Sequence, residues 1–422
     1  MRQRIPIVLR QHDFALLWVA LLVMAVATQM TAVAIGWQVY AIDRRPLDLG
    51  LIGLAEFLPL PLLALPAGHV ADRYSRKTVF AASLVVEIVV MALLLVVSRS
   101  GAHQLWPFLA LAFLTGVAGA IGSPAARAIP PEVVSLDLLA SAMAYRSIAG
   151  QAAVIGGPAL GGVLFAIDPE LVYGLAVALL VVGLGCVLAL RLPRSSTRLG
   201  TEPPPGLDSL LAGIGFIRRT PVMLGAISLD LFAVLFGGAV ALLPVFARSI
   251  LHTGPVGLGF LRSGPAVGAL IAGIILARKP LAGAAGRTLL AVVALFGASM
   301  IVFGLSRWFA LSLVALAVSG FADMISMNIR STTVALATPD ALRGRVNAVE
   351  MVFISASNEL GAFESGVAAA LIGAVPAVVA GGALTVGIAA FWPRLFPELA
   401  SIDRLEDLHP AAAGGMGTDP GG

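Results

Sequence analysis

SIAGQAAVIGGPALGGVLFAI, residues 147–167, is followed after residues 168–170 by LVYGLAVALLVVGLGCVLAL, residues 171–190, and neither run holds a charged side chain. A helix crosses the ~30 Å hydrocarbon core of a bilayer with about 20 residues, so each run is one membrane span. Counting these two, runs of this kind lie near 14–42, 48–71, 78–98, 104–127, 142–166 (which overlaps the first run), 171–191, 221–247, 256–278, 288–305, 308–335, 346–372 and 376–395, twelve spans in all. The composition agrees. Of 422 residues, 59% are hydrophobic and 12% charged, and the mean hydropathy is +0.97. An average soluble domain carries about 25% charged residues. This chain has too few to clothe a water-soluble surface, and lipid resolves the mismatch. The expected fold is an all-α polytopic membrane protein.

The net charge of +4 does not point to nucleic acid, because the basic residues sit in short gaps between apolar runs. Nearly all are Arg; Lys77 and Lys279 are the lysines. Cys186, the one cysteine, excludes a disulfide framework and a cysteine metal cluster. The first apolar run, from Phe14 to Ile42, is too long for a signal peptide and reads as span 1. With the N-terminus inside, most of the 27 Lys and Arg residues fall on the cytoplasmic side; Arg44, Arg45, Arg99, Arg248 and Arg307 fall outside. Both termini are then cytoplasmic and the protein is expected in the inner (plasma) membrane.

One connection is long. Residues 193–220 hold Pro203, Pro204, Pro205 and an amphipathic stretch from Leu207 to Arg219. The expected domains are a six-helix bundle over 1–192, a cytoplasmic loop over 193–220, a second bundle over 221–396 and a disordered tail over 397–422. The halves repeat. Arg127 and Arg330 end spans 4 and 10, Ser123 and Ser326 precede them, and Asp137 and Asp340, then Leu139 and Leu342, follow at one offset of about 203. Six spans per copy make the copies parallel, related by an axis along the membrane normal.

The loop after span 2, Gly68-His69-Val70-Ala71-Asp72-Arg73-Tyr74-Ser75-Arg76-Lys77, resembles the loop 2–3 signature of the major facilitator superfamily, with Ser75 where that pattern usually has Gly. The conformational residues it implies are Gly68, Asp72, Arg73, Arg76 and Lys77. Read physically, Gly68 permits close helix approach and the basic residues hold the loop at the anionic inner leaflet; a plain positive-inside turn fits the same residues. Gly157-Pro158-Ala159-Leu160-Gly161-Gly162 in span 5 looks like the signature of proton-coupled exporters in that superfamily, carried by Gly157, Pro158, Gly161 and Gly162. Generic glycine packing is the alternative. The fourth-span exporter pattern is absent in its usual form, Arg127 lying at the span's end.

Longer stretches, among them Phe14-Ala15-Leu16-Leu17-Trp18, Leu229-Asp230-Leu231-Phe232, Arg343-Gly344-Arg345-Val346 and Ser357-Asn358-Glu359-Leu360-Gly361, resemble the enterobactin-exporter-like group, the transmembrane secretion effector family. The resemblance implies proton-driven export of a siderophore-like or drug-like molecule (efflux, including multidrug resistance, by an antiporter working as a monomer). Uptake of a nutrient, or a non-transport receptor or scaffold, are the competing readings. No catalytic constellation, metal cluster or phosphate-cradling loop stands out, so neither an enzyme nor a cofactor is expected.

Charges inside spans cost about 3 kcal/mol at mid-bilayer and mark functional positions. They are Glu56, Glu87, Asp230, Arg262, Asp323, Glu350, Glu359 and Glu364. Ser319, Asp323, Ser326 and Arg330 share one helical face of span 10. That face either lines a water-filled path or holds a packing clamp in which Asp323 pairs with Arg330 or a neighbour. Asn358, Arg262 and Gln29 complete the cavity-lining candidates. A carboxyl that exchanges a proton as access alternates is what an antiporter needs; Asp230, Asp323, Glu359 and Glu56 are the candidates, in that order. Pro59, Pro61 and Pro66 after Glu56 suit a bending gate helix or a structural kink.

Overall fold

The computed structural model describes residues 7–63, 74–101, 103–192, 207–279 and 283–407. Twelve long helices run in chain order: α1 (His12–Asp43), α2 (Pro46–Phe57, continuing to Leu63), α3 (Arg76–Arg99), α4 (Trp106–Ala128), α5 (Leu136–Ile167), α6 (Pro169–Ala189), α7 (Pro221–Gly237), α8 (Gly254–Arg278), α9 (Ala285–Leu305), α10 (Phe309–Ala337), α11 (Asp340–Ile372) and α12 (Ala374–Leu395). No strand occurs among the described residues. Eleven of these helices are long and apolar enough to cross a membrane. The exception is α11, which has the length but carries Arg343, Arg345, Glu350, Glu359 and Glu364. Such a helix is excluded from broad lipid contact and sits between neighbours.

Local chemistry sets the helix ends. Proline opens α2, α6 and α7, where its missing N–H is not needed. The Ser75 hydroxyl accepts from the Thr78 backbone N–H at 3.1 Å and starts α3. The Asp168 carboxylate accepts from the Glu170 N–H at 2.8 Å and starts α6. Gly373, at φ 91°, makes the sharp turn between α11 and α12 that an L side chain resists. Span 7 departs from the continuous helix expected over 221–247. The α-helix stops at Gly237, and residues 240–250 continue as a tight turn, a short helical turn at Leu243–Val245 and a wide turn over Phe246–Ile250. Gly237-Gly238 and Pro244 supply the break.

The same packing recurs in both halves. α1 packs on α5 and α6 as α7 packs on α11 and α12; α3 packs on α4 and α6 as α9 packs on α10 and α12; α2 meets α4 as α8 meets α10. Two antiparallel pairs join the halves, α5 with α8 and α2 with α11. The amphipathic helix Leu207–Arg219 lies against α11 and α7, burying Ile217 with Met223, Ile227, Val346 and Val349.

Candidate functional site

The halves meet tightly at one end of the bundle, where α1 runs into α2. A Cβ on Gly162 of α5 would lie 2.5 Å from the Pro255 carbonyl oxygen, and one on Gly259 of α8 would lie 2.4 Å from that of Pro158. Glycine is the residue that allows this approach. Deeper in the bundle, the Ser263 hydroxyl donates to the Ile155 carbonyl at 2.6 Å, and the Gln151 amide donates to the Ala266 carbonyl at 2.8 Å. On the other flank Gly366 of α11 lies on Gly50 and Pro46 of α2. Tyr40 Oη and Ser249 Oγ share a 2.9 Å hydrogen bond, and the Arg248 guanidinium covers the Trp37 ring at 5.2 Å. At the opposite end, one side-chain hydrogen bond joins the halves among the described residues, from Arg127 of α4 to the Met351 sulfur of α11.

The span 5 motif divides between two tasks. Gly157 and Gly161 press α5 onto Gln29 and Met30 of α1, inside the same half. Pro158 and Gly162 form the contact with α8 of the other half. Gln29, expected on the cavity wall, is therefore at a helix–helix contact.

Beneath this seal lies a cavity of about 270 Å³. Its wall comes from both halves: Gly36 of α1, Gly53 and Glu56 of α2, Pro244 after the α7 break, Arg262 of α8, and Asn358 and Glu359 of α11. A carboxylate oxygen of Glu359 lies beside Gly53, 3.4 Å from where a Cβ would stand. Glu56, Glu359 and Arg262 lie within electrostatic reach of one another. None of the three makes an ion pair within 4.0 Å among the described residues. Two carboxyl groups thus face one guanidinium, so one negative charge is in excess when both are ionised. A Cβ at position 53 would crowd the Ala362 Cβ at 3.2 Å and meet the Glu359 carboxylate at ordinary contact distance, and the regular hydrogen bonding of α2 is interrupted at Leu58, just past Glu56.

The other acids lie elsewhere. Arg330 of α10, 5% exposed, is ion-paired with Asp230 of α7 and lies 3.6 Å from Glu350 of α11. The clamp on Arg330 is thus built from Asp230 and Glu350, and not from Asp323 on its own helix. Asp323 is exposed and makes no hydrogen bond or ion pair among the described residues. Ser319, Ser326 and Arg330, expected to line a path with it, are buried. Ser319 spends its hydroxyl on the Leu316 carbonyl at 2.7 Å. The four share a face by period, but α7 and α11 cover the part that holds Arg330.

Of the loop 2–3 residues, Gly68, Asp72 and Arg73 lie outside the described residues. Arg76 pairs with Glu132 at 2.5 Å and donates to the Ala128 carbonyl at the end of α4. Lys77 donates to the Leu188 and Leu190 carbonyls at 2.7 Å each, at the C-terminus of α6, where a cation meets the negative end of the helix dipole. The two basic residues pin α3 to the ends of α4 and α6.

Glu350 is the participant that the sequence shows only as one of several charges inside spans. The sequence shows an acid about one turn beyond Val346 on a polar helix; its meeting with Arg330 is a tertiary fact. Arg330→Met leaves Asp230 and Glu350 buried without a cation, and is expected to destabilise the fold by about 3–5 kcal/mol. Adding Asp230→Asn and Glu350→Gln should recover most of that loss. Melting temperatures in detergent check both statements; an unchanged melt for Arg330→Met would contradict them.

The family described as transmembrane secretion effectors matches residues 6–412. The chain is 27% identical over 354 residues to the enterobactin exporter EntS of Shigella dysenteriae, with 80% of this chain and 81% of that protein covered. The identity and coverage are the same for EntS of Citrobacter koseri. Among solved structures, a bacterial homologue of the human lysosomal transporter Spinster superposes with a TM-score of 0.70 at 15% identity, covering 92% of this chain and 98% of the other. A bacterial homologue of the iron transporter ferroportin gives 0.67 at 16%, with the same coverage. At those identities the structures speak for the fold alone. The family and its relatives are transporters of small molecules and not enzymes. Twelve long helices packed as two repeats around a cavity, together with the family match over nearly the whole length, make this chain a multi-pass membrane transporter of the major facilitator fold, and it belongs to the transmembrane secretion effector family.

Proposed function

We propose that this protein exports a small amphiphilic molecule, siderophore-like or drug-like, across the inner membrane by proton antiport with alternating access. The halves, residues 1–192 and 221–396, rock about the cavity as bodies joined by residues 193–220, and one copy of the chain suffices. Both termini lie in the cytoplasm, so the sealed end is the outer one and the cavity is reached from inside.

One observation carries this reading: a cavity walled by both halves holds Glu56, Glu359 and Arg262 under a cross-half seal. A proton is the smallest species that removes the excess negative charge. With the proton bound, Arg262 balances the remaining carboxylate and the cavity is electrically neutral. Without it, the excess charge favours a substrate that brings a hydrogen-bond donor or a cation. Proton and substrate then compete for one site, and rocking of the halves carries each in its own direction. The enterobactin exporter relatives and the exporter-type motif at the seal support the outward direction.

Inverted membrane vesicles test the direction. Vesicles energised to an acidic lumen, containing the protein, are expected to accumulate a catecholate siderophore or an amphiphilic dye, and a protonophore should abolish the accumulation. Uptake insensitive to the protonophore, or accumulation in right-side-out vesicles instead, would refute export by proton exchange.

A further inference from the structure

The two halves treat one position differently. Arg127 closes α4 as Arg330 stands near the end of α10, about 203 residues further on. In the second half, Glu350 of α11 and Asp230 of α7 neutralise that arginine. In the first half the place of Glu350 falls, to within one residue, on Arg146 of α5, and the place of Asp230 falls on Ala27 of α1. Arg127 is exposed, Arg146 is half-buried, and each lies within electrostatic reach of the other. Neither meets a carboxylate among the described residues. The acid at the end of α4, Glu132, is engaged by Arg76. The hydrogen bond of Arg127 goes to the soft Met351 sulfur, across the end of the bundle where the halves are not sealed.

Two guanidinium groups held near each other repel, and an anion between them removes the cost. Their planar forks match the paired oxygens of a carboxylate or a similar oxyanion. The Met351 thioether beside them offers polarisable apolar surface of the kind that accepts an aromatic body.

We propose that Arg127 and Arg146 form an anion-recognition site at the end of the bundle opposite the seal, which takes the acidic group of an amphiphilic aromatic cargo. The proposal rests on the transport reading above and narrows it to cargoes that carry an acidic group in addition to the hydrogen-bond donor or cation taken by the Glu56–Glu359 cavity. Arg127 and Arg146 capture the cargo's carboxylate or phenolate oxygen, and Met351 leaves Arg127 to lie against the cargo's apolar body.

The test uses the full-length protein in phosphatidylcholine nanodiscs, with thermal unfolding read against 1-naphthoate and salicylate and their neutral amides. The acids are expected to raise the melting temperature and the amides to leave it unchanged. Arg127→Gln and Arg146→Gln should each weaken the apparent affinity for the acids by about tenfold or more, and Arg127→Lys should keep part of it. Raising the salt concentration should weaken acid binding to the unaltered protein, a measurement that needs no variant. Equal stabilisation by the amides, no stabilisation by either acid, or full affinity in both glutamine variants would overturn the proposal. Loss of the response when phosphatidylglycerol replaces phosphatidylcholine would assign the arginines to a lipid headgroup and overturn the cargo assignment. Binding is read here without flux. An acid that binds but drives no proton-linked transport therefore sinks the export reading and leaves this site standing.

Discussion

Glu359→Gln is expected to lower gradient-driven flux by about tenfold or more in proteoliposomes, equivalent to at least ~1.4 kcal/mol of lost coupling, while facilitated exchange without a gradient continues. Glutamine keeps the size and hydrogen-bonding capacity of the side chain and removes the exchangeable proton. Glu359 stands beside Gly53 in a cavity that also holds Glu56 and Arg262, so the variant also removes the excess negative charge. Glu56→Gln should act in the same direction. Asp230→Asn should act otherwise, since Asp230 is spent on Arg330: its main effect should be on stability, with coupling retained in the protein that folds. Asp323 is exposed and unengaged among the described residues, and Asp323→Asn is the control for a second proton route. Full coupling in Glu359→Gln and Glu56→Gln, with loss in Asp323→Asn, would move the proton site to α10.

Gly259→Leu is expected to prevent closure of the end where α1 runs into α2. Its Cβ would stand 2.4 Å from the Pro158 carbonyl oxygen and 3.2 Å from the Cα atoms of Ala159 and Gly162. Those neighbours are backbone and cannot rotate away. Overpacking of this kind costs about 1–3 kcal/mol, and the same energy shifts a two-state equilibrium about 5- to 150-fold. The cost falls on the sealed state alone, because the contact exists only when the halves meet. Ala32→Cys on the cavity wall, in a Cys186→Ser background, reports the change through labelling by an impermeant thiol reagent applied at the sealed end. Labelling should accelerate with Gly259→Leu. Gly185→Leu, at a position whose Cβ meets nothing within 4 Å, should leave the rate alone. An unchanged rate in Gly259→Leu would mean that the glycine contact does not hold the seal.

The membrane fold was legible because its signal is compositional. Uncharged runs such as 171–190 can be solvated only by lipid, and their length counts the spans. The repeat was legible in the paired Arg127 and Arg330, and the structure returns it as matching helix pairs in both halves. Local periodicity misled at α10, where Ser319, Asp323, Ser326 and Arg330 share a face but not an environment. Which part of a face a neighbour covers is a tertiary fact, decided here by Asp230 and Glu350 more than 19 residues away on other helices. The meeting of Glu56 with Glu359 and Arg262 was hidden for the same reason, since three helices from two halves bring them together. The break in α7 was readable in principle from Gly237-Gly238 and Pro244, but the apolar run continues through it and masks the change of backbone.

Proton movement driven by cargo alone tests the central claim most directly. Proteoliposomes are prepared with equal pH on both sides and a pH-sensitive dye inside, and the compound identified by vesicle accumulation is added outside. Inward flow of cargo should drive protons out and raise the lumen pH, Glu359→Gln should abolish the rise, and a protonophore should erase it. A fall in lumen pH would mean that cargo and proton travel together, and no change would mean that transport is not coupled to protons; either result contradicts the account.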